Sequence, residues 1–232
     1  MDERQRVKNP AMVIKLMIIV VVVPFLPILI SRDWSWWEAW VYGGINVSGF
    51  VISRILAGRR HPDLIAERGR FLDHPDTVSW DRLLAPLVGI GGLFIPLVAG
   101  LDALPGRPLL FPLPVKLAAL VLMLGGWIIG SWALMENRFF SGVVRIQTDR
   151  GHHVISSGPY RLVRHPGYCG GLLTYFSIPF FLDSLWTFVP VALLTIVLVV
   201  RTYLEDKVLQ ENLTGYRDYA ARVRHRLLPG LW

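Results

Sequence analysis

A single cysteine, Cys169, stands in 232 residues, which excludes an internal disulfide and any cysteine-based zinc cluster. Charge is sparse as well, with Asp, Glu, Lys and Arg making up 18% of the chain against 53% hydrophobic residues. There is no G-x-G-x-x-G turn between a strand and a helix, so a soluble dinucleotide-binding domain is excluded. A G-x-S-x-G nucleophile elbow is missing too. His152, His153 and His165 lie near carboxylates, but adjacent histidines in an extended segment point to opposite sides and no H-E-x-x-H spacing occurs, so no metal is expected. The internal repeat typical of many transporters is not found.

What fills the chain instead is apolar sequence. Mean hydropathy is +0.46, and several runs approach the roughly 20 apolar residues needed to cross a bilayer. The first, from about Val13 to Ile30, is too long for a cleavable signal peptide and carries Pro24 and Pro27, which predict a kink. Trp36, Trp37 and Trp40 form an interfacial aromatic belt leading into a second run that ends near Leu56. A polar stretch, Arg59 to Asp81, separates it from a third run, Leu83 to Leu101. The fourth spans Val115 to Met135 and holds Gly126 and Gly130 at a small-xxx-small spacing suited to close helix packing. After about thirty polar residues, Gly167–Phe181 and Leu185–Tyr203 predict a helical hairpin whose first arm, near 22 Å as helix, is short for a bilayer. The tail predicts a helix lying in the interface, with Tyr216, Tyr219, Ala220, Val223 and Leu227 on its apolar face.

The fold class expected is therefore an all-α, multi-pass membrane bundle: four N-terminal crossings within residues 1–136, then a cofactor loop, hairpin and tail over 137–232. With the N-terminus placed inside, 20 of the 24 Lys and Arg fall on the inner side. The positive-inside rule then puts both termini and the polar loop in the cytosol. The basic excess of +7 is thereby a topology signal rather than a nucleic-acid footprint.

Two stretches on that inner side carry chemistry. Gly158 to Gly171 packs two X-Pro steps, two arginines, a histidine and two tyrosines into shaped loop, because the prolines bias their preceding residues toward extended backbone. Its glycines allow main chain to approach a ligand. The second stretch is Arg201, Glu205 and Asp206 at the inner end of the last run; Arg201 and Glu205 are four apart and share a helical face. Charges in a membrane helix tend to be functional when they face the bundle interior.

Taken in order, these residues resemble a known family. Residues 137–229 are similar to the C-terminal part of the isoprenylcysteine carboxyl methyltransferases, related to the membrane phospholipid methyltransferases. The resemblance rests on G-P-Y-R-x-x-R-H-P-x-Y-x-G over Gly158–Gly170, a hydrophobic hairpin, R-x-x-x-E-D over Arg201–Asp206, then Gly215, Tyr216 and Tyr219, and a close at Arg226 to Pro229. It implies an enzyme that uses S-adenosylmethionine at the membrane face on a lipophilic acceptor. It further implies a cofactor pocket lined by Gln147, His152, His153, Val154, Ile155, Tyr160, His165, Pro166, Gly167, Tyr168 and Glu205, with Arg201 facing the acceptor. The family often has two glutamates where this chain has Glu205 and Asp206, which makes Glu205 the expected ligand and leaves Asp206 without a role. A sterol-type membrane reductase is the nearest rival; it typically has a glutamate soon after the motif's glycine, where Gly170 is here followed by Gly171 and Leu172. The acceptor itself, whether prenylated protein, lipid, isoprenoid acid, thiol or amine, is not specified by the sequence.

Overall fold

In a computed structural model the chain is described over residues 18–69, 74–104, 106 and 109–232. The start of the first run, residues 13–17, lies outside the described residues. From Ile18 the chain coils as a π turn to Val22, tightens to a 3-10 turn at Val23–Phe25, and becomes α1 at Leu26–Ser31. The changes of helix type fall beside Pro24 and Pro27, whose missing N–H groups break the regular ladder. Then follow α2 (Trp37–Arg60), α3 (Pro62–Gly69), α4 (Asp81–Asp102), α5 (Leu113–Glu136), α6 (Pro166–Phe181), α7 (Phe188–Asn212) and α8 (Tyr216–Arg222). No strand occurs among the described residues. Helices α2, α4, α5 and α7 are each long and apolar enough to span a membrane, giving a multi-pass helical membrane architecture.

Packing follows small residues, since lipid removes the hydrophobic drive between helices and leaves van der Waals fit to decide. Helices α5 and α6 touch backbone to backbone. A Cβ on Gly126 would lie 2.5 Å from the Gly170 carbonyl oxygen, and one on Gly170 would lie 2.5 Å from that of Gly126 and 2.7 Å from the Gly130 nitrogen. The small-xxx-small spacing in α5 is thus a packing device. One buried cluster joins Trp36, Tyr42, Ile95, Met123, Phe181 and Leu194, drawn from α2, α4, α5, α6 and α7 and from the turn before α2.

Three elements differ from the sequence reading. The polar stretch after α2 contains helix α3, which opens on Pro62, where a missing N–H costs nothing. The last crossing does not end near Tyr203 but continues to Asn212, so Arg201, Glu205 and Asp206 share one unbroken helix. The tail helix is only seven residues long. Its Tyr216 and Tyr219 are buried against Tyr160, Ala133 and Leu213, so that face is covered by protein rather than by lipid.

Polar groups collect at the two ends of the bundle. At one, Lys116 bonds Glu38 at 2.5 Å and also meets Asp183, while Ser184 Oγ donates to Asp102 at 2.7 Å. The other, larger end gathers α3, the 137–165 segment, the start of α6, the end of α7 and the tail.

Candidate active site at the polar end

The 137–165 segment has little regular structure, so side chains must fix it. On one side Arg145 holds it to α3, with Nε donating to Glu67 at 3.0 Å and Nη1 to Asp76 and Asp149 at 2.8 and 3.0 Å. Its other side is fastened by Arg164. This guanidinium donates through Nε and Nη2 to both Asp206 oxygens at 2.7 and 2.8 Å, and through Nη1 to the Val223 and Arg224 carbonyls. Burial works against the charge of Arg164, but the Asp206 carboxylate outweighs it and raises the pKa.

Asp206, wholly buried, is the hub of this end. Besides Arg164 it accepts from Arg226 Nε at 2.9 Å, Gln210 Nε2 at 2.8 Å and Tyr216 hydroxyl at 3.1 Å, with His165 Nε2 at 3.4 Å. The sequence left Asp206 without a role; its partners come from the loop and the tail, which no local pattern could bring to it. Its role is architectural, binding loop, last helix and tail into one unit.

Glu205, one residue earlier, points elsewhere. It takes the Tyr168 hydroxyl on Oε2 at 2.6 Å, and Oε1 makes no hydrogen bond among the described residues. Arg201 does not pair with it. Arg201 instead forms a bidentate bridge with Asp81 at the start of α4, Nε to Oδ1 at 2.7 Å and Nη2 to Oδ2 at 2.9 Å, with a further bond to the Gly142 carbonyl at 2.9 Å. Its Nη1 is left without a hydrogen bond among the described residues, and its guanidinium carbon lies 5.5 Å from the Tyr168 ring. Arg201, Tyr168 and Glu205 therefore form one continuous line of contacts.

The other expected site residues fall into three groups. Tyr160, Val154 and Ile155 join the cluster built on Tyr216, Tyr219 and Leu213. Tyr160 accepts from Asn137 Nδ2 at 3.2 Å and gives its carbonyl to the Tyr219 hydroxyl at 2.8 Å; burial pushes its phenol up, so it stays protonated. Pro166 and Gly167 open α6, directly after His165, whose ring lies parallel to Tyr168 at 5.8 Å between centroids. A Cβ on Gly167 would sit 2.5 Å from the Phe140 ring, so any larger residue here must displace that ring. Gln147, His152 and His153 gather one step away, around Phe139. The Gln147 amide donates to the Phe139 carbonyl at 2.7 Å, and both histidine rings pack on that phenyl at 4.6 and 4.9 Å. Burial first, then the charges of His153, Arg145 and Arg150, lower the His152 pKa from 6.5 to about 4, so this ring is neutral at pH 7. Asp81, Phe139 and Phe140 were not legible as site residues, lying outside every motif.

The polar end of this helical membrane bundle thus assembles a tyrosine–glutamate pair, a buried arginine and a glycine-containing loop. Residues 114–214 match the family model of phospholipid methyltransferase, a range that takes in α5, the loop, α6 and α7. Two rice proteins, from Oryza sativa subsp. indica and subsp. japonica and described as probable protein-S-isoprenylcysteine O-methyltransferase, are each 40% identical over 60 residues. Those matches cover 25% of this chain and 31% of each relative. Both findings support the family read from the ordered motifs, membrane methyltransferases of the isoprenylcysteine and phospholipid kind.

Proposed function

We infer that this protein is an S-adenosylmethionine-dependent methyltransferase that acts at the membrane face on a lipophilic or amphiphilic acceptor, foremost a carboxylate. The observation that carries the reading is the contact line Arg201–Tyr168–Glu205, set inside the matched region and beside a glycine-opened helix. The donor set suits the cofactor. Glu205 keeps Oε1 for an ammonium group, the Tyr168 face suits a sulfonium by cation–π attraction, and Gly167 lets the Phe140 ring close against the start of α6.

When bound, S-adenosylmethionine supplies an electrophilic methyl group on a sulfonium, which needs no covalent enzyme intermediate. Glu205, Tyr168, His165, Pro166, Gly167, Tyr160, Val154 and Ile155 would hold the cofactor, with Gln147, His152 and His153 forming the outer wall through Phe139. Arg201, fixed by Asp81, presents Nη1 to an acceptor carboxylate and orients its oxygen for in-line attack. The buried surroundings limit water at the reacting oxygen, which helps a reaction in which opposite charges cancel. The orientation that places this end and both termini in the cytosol follows from the basic residues alone; a reporter after Trp232 should read as cytosolic, and outside labelling would overturn it.

Calorimetric titration in detergent with S-adenosylhomocysteine and with NADPH tests the cofactor. Binding of the former and not the latter is expected; tight NADPH binding with no response to S-adenosylhomocysteine would refute the reading.

A further inference from the structure

Buried arginines at the polar end each face a carboxylate: Arg145 meets Glu67, Arg164 meets Asp206 and Arg201 meets Asp81. The half-buried Arg54 and Arg68 have no carboxylate partner among the described residues. Among the described residues Arg54 makes one hydrogen bond, Nη1 to Ser53 Oγ at 2.9 Å, and Arg68 makes one, Nη1 to the Phe140 carbonyl at 3.0 Å. Each guanidinium carbon lies over an aromatic ring instead, 4.3 Å from Phe50 and 5.3 Å from Phe140.

The setting makes the lack of a counter-charge among the described residues consequential. Arg54 is half-buried on a membrane-spanning helix, six residues or about 9 Å before its polar end at Arg60. Its helical neighbours Ile52 and Ile55 are 54% and 49% exposed, toward lipid. A cation placed there without an anion is costly. The two arginines also lie within electrostatic reach of each other, and Arg68 within reach of Arg201 and Tyr168. Burial, with the Arg201 charge adding to it against Tyr168, lowers Arg68 to about 10. The Phe140 ring beneath Arg68 is the same ring that packs on Gly167. Arg54 on α2 is thus within electrostatic reach of Arg68, and from Arg68 direct contacts run through Phe140 to Gly167 at the start of α6, where the candidate active site begins.

We propose that Arg54 and Arg68 form an entry site that holds the anionic head of the acceptor before it passes to Arg201, a carboxylate or phosphate carried on an apolar chain that extends along the lipid-facing side of α2. An oxyanion between the two forks relieves their mutual repulsion and accepts paired N–H bonds from each. Only the word acceptor and the passage to Arg201 rest on the methyltransferase reading; the preference for an anionic amphiphile stands on these contacts. The site would select anionic over neutral lipids before chemistry, making both arginines specificity determinants.

The test uses the full chain in phosphatidylcholine nanodiscs, titrated with dodecanoate, dodecyl phosphate, dodecanol and inorganic phosphate, with empty nanodiscs subtracted. Both anionic amphiphiles are expected to bind at least tenfold more tightly than dodecanol. Arg54→Gln and Arg68→Gln should each remove most of that preference, Arg54→Lys and Arg68→Lys should keep part of it, and S-adenosylhomocysteine affinity should stay unchanged throughout. Should a glutamine variant fail to fold, salt dependence of the wild type decides: dodecyl phosphate binding must weaken with added NaCl while dodecanol binding does not. Equal affinity for dodecanol and the anions, or glutamine variants that bind like wild type, would overturn the proposal. Inorganic phosphate binding as tightly as dodecyl phosphate would overturn the amphiphile part. Anion preference without any S-adenosylhomocysteine binding would instead refute the methyltransferase reading and leave this site standing.

Discussion

Arg201 and Asp81, 120 positions apart in sequence, meet in a buried bidentate ion pair, with Arg201 5% exposed and Asp81 not exposed at all. Asp81 also accepts from the Val144 amide at 2.6 Å, so one carboxylate fixes α4, α7 and the 137–165 segment together. The arginine expected to face the acceptor is therefore anchored before any acceptor arrives.

Removing the Asp81 charge should be severe. Asp81→Asn keeps the shape but strands a buried guanidinium, and breaking a buried pair costs about 3–5 kcal/mol. The expected readout is a lower melting temperature in detergent, and an unchanged melt would mean the pair does not hold the polar end. Arg201→Lys retains a charge for Asp81 but loses the planar fork; it should still bind S-adenosylhomocysteine while methyl transfer drops.

The neighbouring carboxylates Glu205 and Asp206 should separate cleanly. Glu205→Gln removes one charge-assisted contact, worth about 1.5–3 kcal/mol, so S-adenosylhomocysteine affinity should fall roughly ten- to a hundredfold with little change in melting. Asp206→Asn leaves Arg164 and Arg226 without their anion and should lose about 3–5 kcal/mol of stability instead. Titrations and melting curves on both variants check this, and the reverse pattern would exchange the two roles.

Adjacent glycines in α6 give a packing contrast. Ala at Gly170 drives a methyl into the α5 backbone, which cannot move aside cheaply, and should cost about 1–3 kcal/mol or more. At Gly171 the added methyl meets only Tyr175 Cε2 at an ordinary 3.7 Å, and Gly171→Ala should be within about 0.5 kcal/mol of wild type. Equal melting temperatures for the two variants would contradict the close α5–α6 contact.

His152 should make the loop acid-sensitive. Its pKa falls from 6.5 to about 4 on folding, so between those values the unfolded chain binds more protons than the folded one. The contribution is then fully present above pH 6.5, declines as pH drops toward 4, and is lost below. His152→Gln should flatten that part of the stability–pH curve, and hydrogen exchange of the 147–155 amides between pH 7 and 4.5 measures it. An identical acid response in the variant would remove His152 from the account.

The sequence alone determined the membrane class, the four long apolar spans and the motif order, because these depend on local runs: apolar length for spans, prolines for breaks. It also marked Gly126 and Gly130 for packing and Gly158–Gly170 with Arg201 and Glu205 for chemistry, since spacing along one helix or loop is visible in one dimension. Tertiary structure decided which charges neutralise which. Arg201 and Glu205 share a face by spacing, yet Arg201 pairs with Asp81 and Glu205 with Tyr168. Asp206 became a hub because loop and tail arginines converge on it. Ion pairs form wherever the folded chain brings opposite charges within reach, and their Coulomb energy depends on distance in space and on burial, neither of which sequence separation records.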